Sequence, residues 1–108
     1  MIYMSADDFY EKVASVSALS RQEEIEYARQ MKNGDMLARE RLIQGYLPVM
    51  AAFIRRKPSY AQNLGLILHC QQALEKAVDT FDFLQDSEPF SHRLNWHLRQ
   101  AAVRYLIR

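Results

Sequence analysis

The sequence predicts an all-α protein, a small multi-helix bundle, on three observations. Apolar residues recur three and four apart through most of the 108-residue chain, and nowhere do they alternate with period two long enough to make a sheet. Ser, Asp and Asn stand where helices would begin, at Ser20, Asp35 and Asn63. Only three glycines and three prolines interrupt the pattern, and 49% hydrophobic residues suffice to bury one core, so a single domain is expected.

Each element follows from local chemistry. Asp7 or Asp8 is placed to cap a first helix through Val13, with Phe9, Tyr10 and Val13 as its apolar contacts. After a connector at 17–20, Ser20 and Glu23 form a capping box, and Ile25, Ala28 and Met31 follow at helical spacing. Asn33, Gly34 and Asp35 mark the clearest boundary: Gly34 suits a left-handed C′ position and Asp35 the next N-cap. The helix beyond carries Leu37, Leu42, Ile43, Tyr46, Val49, Met50, Phe53 and Ile54, and stops before Pro58 because the residue ahead of a proline avoids the helical region. Pro48 falls inside this pattern and predicts a kink or two helices meeting. Residues 57–63 are expected as a loop. Asn63 then caps a helix whose seam is Leu64, Ile67, Gln71, Leu74, Val78 and Phe81. A second loop over 83–89 leads to a final helix capped by Ser91, with Leu94, Leu98, Ala101 and Tyr105 as its inward stripe.

The composition limits function. Cys70 is the only cysteine, so no internal disulfide forms and a reducing compartment is the simplest setting. The N-terminus has neither the basic nor the apolar region of a signal peptide, and no run approaches eighteen apolar residues. A cytoplasmic location without membrane contact is expected. His69 and Cys70 are adjacent and His92 and His97 five apart, both poor spacings for shared metal ligation. No glycine-rich phosphate loop and no distinct carboxylate pair occurs. No catalytic residue, metal or cofactor is therefore assigned, and an enzyme is not expected.

The net charge of +1 conceals an asymmetry: residues 1–35 hold seven acids and four bases, the remainder ten bases and six acids. The basic charge gathers at Arg55, Arg56 and Lys57 and in the final helix, which has no acid after Glu88. Off the inward stripe of that helix lie Arg93, Trp96, Arg99, Val103, Arg104 and Arg108. Guanidinium groups suit phosphates and an indole suits an unstacked base. The plainer alternative is a buried Trp96 among arginines that only keep the domain soluble.

Phe90 and Ser91, followed by Trp96-His97-Leu98-Arg99-Gln100-Ala101, resemble the promoter-melting helix in region two of bacterial RNA polymerase sigma factors of the sigma-seventy family. The resemblance extends along the chain. Phe9 to Val13 with Leu19 to Asp35 is similar to region one-point-two, making 1–34 that segment and 35–108 a region-two core. Ala38 to Ile43, Tyr46 to Met50 and Ala73 to Asp82 are similar to the first two helices of region two.

The resemblance implies two partners. One is core RNA polymerase, gripped at the clamp helices of its largest subunit through Leu64, Gly65, Leu68, His69, Gln71 and Gln72. The other is the single-stranded minus-ten promoter element, bound by Phe81, Arg93, Trp96, Arg99, Gln100 and Arg104. In that scheme Phe81 and Trp96 stack on flipped bases, the arginines hold phosphates and Gln100 touches a base edge. The departures bear on function. Gly65-Leu66-Ile67-Leu68-His69-Cys70 stands where the family usually has Asp-Leu-Ile-Gln-Glu-Gly, removing carboxylates that steer docking. Arg93 replaces a Tyr and His97 the second Trp of the family pattern. A second functional class therefore stays open: a sigma-like interaction module binding a regulatory protein such as an anti-sigma factor, favoured by an exposed Leu68 beside Cys70.

Overall fold

The computed structural model describes residues 3–85 and 88–107, and every regular element among them is helical: α1 (Ala6–Ala14), α2 (Arg21–Lys32), α3 (Met36–Gly45), α4 (Leu47–Arg55), α5 (Pro58–Ala61), α6 (Leu64–Thr80) and α7 (Phe90–Ile107). Arg108 and the Asp86–Ser87 part of the expected second loop lie outside the described residues.

Several boundaries follow the sequence. The Ser20 side chain accepts from the Glu23 N–H while Glu23 accepts from the Ser20 N–H, the reciprocal box. At the end of α2 the Gly34 N–H donates to the Met31 carbonyl and the Asp35 N–H to that of Gln30, which requires the positive φ of 94° that Gly34 adopts. Asp35 caps α3 by accepting from the Leu37 and Ala38 N–H groups, and Asn63 caps α6 by accepting from Leu66. Pro48 marks two helices meeting at Tyr46, since a proline in the first turn of α4 needs no hydrogen bond of its own there.

Others differ. Ser5, not Asp7 or Asp8, caps α1, accepting from the Asp8 N–H and leaving both acids in the first turn. The expected 57–63 loop contains the one-turn helix α5, because Pro58 is preset for a first helical position. The final helix begins at Phe90, so Ser91 lies within it and does not cap it. Leu37 points outward, 63% exposed.

The core is one apolar cluster. α4 packs against α1, α3, α5, α6 and α7, with Leu47, Met50, Ala51 and Ile54 fully buried. α6 and α7 run antiparallel: Phe81 meets Phe90 at one end with ring centroids 5.1 Å apart, and Tyr105 meets Asn63 and His69 at the other. Leu66, Ile67, Leu74 and Val78 of α6 and Leu94 and Leu98 of α7 are wholly inaccessible. Tyr105, expected on that inward stripe, is half-buried. Two polar ties join helices across the bundle. Glu24, only 9% exposed, is bonded by the Tyr46 hydroxyl and by Arg21 at 2.6 Å. Arg39 holds Asp79 through two parallel bonds of 2.6 and 2.9 Å, joining α3 to α6. Burial, then the bond to Glu24, pushes the Tyr46 hydroxyl pKa well up, so that phenol stays a donor.

Candidate nucleic-acid interface

The expected site residues fall into three places. The largest group meets in a groove between α6 and α7. On α6 its wall is His69, Gln72, Ala73 and Lys76, spaced i, i+3, i+4 and i+7. On α7 it is Trp96, His97, Gln100, Ala101 and Arg104, spaced i, i+1, i+4, i+5 and i+8. Helical spacing puts each set on one face, and the two antiparallel faces look at each other. The alanines leave the floor open: Ala101 is buried and Ala73 half-buried, and larger residues there would fill the space. The groove encloses about 410 Å³.

Its polar groups are uncommitted. Among the described residues, the side chains of Gln72, Lys76, Gln100 and Arg104, and of Arg99 outside the groove, make no hydrogen bond or ion pair, and no carboxylate lines the groove. Arg93, on the same outward side of α7, reaches only a 4.0 Å contact with Glu88. Trp96 is 50% exposed and stands edge-on to His97, with centroids 5.1 Å apart. The buried-Trp alternative is thereby overturned: Leu94, Leu98, Ala101 and Ala102 supply the inward face of α7, and Trp96 lies off it. His97 is held below its ordinary pKa, first by burial and then by the positive charges of Arg93 and Lys76. It is neutral near pH 7.

Phe81 lies elsewhere. It ends α6, packs edge-to-face on Phe83 and Phe90, and lines a cleft of about 730 Å³ shared with α2 and α3. Phe81 and Trp96 thus line different cavities.

The polymerase-facing set on α6 is mostly covered. Gln71 is 3% exposed; its amide oxygen accepts from the Tyr3 hydroxyl at 3.0 Å and its nitrogen donates to Glu75 at 3.3 Å. Leu64 and Leu68 are half-buried against the core, and Gly65 lies beneath the Tyr105 ring. His69 is half-buried, 5.7 Å from that ring, and Gln72 alone of the six is exposed. Cys70 is fully buried, with its thiol pushed up to about 12, so the exposed Leu68–Cys70 feature that favoured a protein-binding module is absent.

The basic run 55–57 is also occupied. Arg55 covers the Tyr10 ring at 4.3 Å, Arg56 lies 5.8 Å from Phe53 and Lys57 5.4 Å from Tyr60. Sequence reasoning missed Lys76 and Ala73; their signal was the helical spacing with His69 and Gln72. Among the described residues no group of three or more His, Cys, Asp or Glu side chains is arranged to hold a metal, and no helix is long and apolar enough to cross a membrane.

Comparison with known proteins gives a direction. No protein-family model matches the chain. The chain is 34% identical over 97 residues to the RNA polymerase sigma factor SigA of Clostridium acetobutylicum, an alignment covering 89% of this chain and 25% of that protein. Over nearly its whole length, then, the chain is similar to about one quarter of a sigma factor.

Proposed function

We propose that this domain acts in transcription initiation as a sigma-factor-like, non-enzymatic protein that binds core RNA polymerase and the single-stranded minus-ten promoter element. The observation that carries the reading is Trp96, half exposed on a helix face that also presents Arg93, Arg99, Gln100 and Arg104 and no acid. An indole offers a stacking platform to any base, and the guanidiniums, those of Arg99 and Arg104 unpaired, offer phosphate contacts that position a strand. Similarity to a sigma factor over 89% of the chain supports the same reading from an independent side.

The test measures two ligands. An adenine- and thymine-rich single strand is expected to quench Trp96 fluorescence in a salt-sensitive way. Trp96→Ala should weaken that binding by roughly 5- to 150-fold, the equivalent of about 1–3 kcal/mol per stacked base. Because Trp96 is half exposed, the variant should melt within a few degrees of the parent. Core RNA polymerase should bind saturably and be displaced by a housekeeping sigma factor. Absence of both interactions at micromolar concentrations would refute the proposal.

A further inference from the structure

Resting on the strand-binding reading above, we propose that the α6 wall of the groove, Lys76 with Gln72 and His69, contacts the bound single strand together with Trp96, Gln100 and Arg104. On this assignment His69 and Gln72 belong to a nucleic-acid groove spanning two helices.

Three features support it. The first is composition: two cations and two side-chain amides converge with no carboxylate among the lining residues, so an anion entering the groove meets no repulsion. The second is availability. Lys76, Arg104, Gln72 and Gln100 have no partner among the described residues, whereas Arg39 and Gln71 on other faces of the bundle are already bonded. The third is dimension: about 410 Å³ falls within the roughly 300–1,000 Å³ of small-ligand sites, enough for a base or a sugar-phosphate. The indole forms one wall and the alanines the floor. A strand stacked on Trp96 therefore passes within reach of Lys76 across the groove. The chemistry recognised is a phosphate beside an aromatic base.

Fluorescence anisotropy of a labelled single strand, measured as a function of salt, tests the assignment. Lys76→Ala is expected to lower affinity severalfold and to flatten the dependence of log affinity on log salt by about 0.7, the contribution of one phosphate contact on a single strand. Gln72→Ala should weaken binding without changing the salt slope. Lys76 and Gln72 are both exposed, so neither variant threatens folding, and a thermal melt verifies this. If Trp96→Ala and Arg99→Ala impair binding while Lys76→Ala leaves affinity and slope unchanged, this inference is overturned and the strand-binding reading survives. If the parent protein binds no strand, both fall. Quenching of Trp96 by a mononucleotide at the same phosphate concentration would overturn the strand as the source and make the groove a free-nucleotide site.

Discussion

The cleft bounded by α2, α3 and the end of α6 is the larger of the two, about 730 against 410 Å³, yet of its charged groups Arg39, Asp79 and Asp82 are already bonded and only the Lys32 side chain has no partner among the described residues. Arg39 is clamped on Asp79, and Asp82 accepts from the Leu84 and Gln85 N–H groups. In the α6–α7 groove the side chains of Gln72, Lys76, Gln100 and Arg104 have no hydrogen-bond or ion-pair partner among the described residues. A cavity's size records how helices fail to mesh, whereas unpaired polar groups record something left to bind.

Three experiments press on this contrast. The strongest attacks the packing beneath the groove. Leu98 is fully buried where α7 lies on α6, and Leu98→Ala should cost about 2–5 kcal/mol, seen as a lowered urea midpoint. A loss under about 1 kcal/mol would mean that the two walls are not held together by this contact. Next, Arg39→Met should remove at most about 1 kcal/mol, because solvent screens the half-exposed Asp79 partner, and should leave strand affinity unchanged. A drop in affinity equal to that of Lys76→Ala would erase the distinction between the clefts.

The smallest effect concerns pH. The folded pKa of His97 lies below the ordinary 6.5, so its contribution to stability is complete above that value and is lost as pH falls through the folded pKa. The charges acting on it are Arg93 from α7 and Lys76 from α6, and Arg104 and His69 also line the groove. Protonation adds a further positive charge there, so strand affinity should rise as stability declines. His97→Gln should reduce both slopes, measured by melting and by anisotropy between pH 7.5 and 5.5, as roughly bracketing the titration range of imidazole.

Much of the fold was legible because its signals are local. A capping box, a Gly-Asp boundary and an Asn cap each act within five residues, and Ser20, Gly34, Asp35 and Asn63 all do what their chemistry dictates. The errors were local competitions as well: Ser5 against Asp7 and Asp8 for one cap, and Pro58 starting a single turn inside an expected loop. The site was less legible because it depends on how two helices face each other. Gln71 illustrates the conflict, since its spacing put it in the buried seam while the family resemblance put it on the polymerase surface. The structure places it inside, bonded to Tyr3. Trp96 had two compatible readings in sequence, and only the rotation of α7 on α6 decides between them.

Gly65 carries a consequence of its own. A Cβ built there would overlap the Tyr105 hydroxyl and crowd the ring, so the Tyr105 ring can keep this seat over the first turn of α6 only while residue 65 has no side chain. The sigma pattern usually places an aspartate at this position. A side chain at residue 65 competes with the Tyr105 ring for the same space, and Gly65→Asp should lever Tyr105 out of its place.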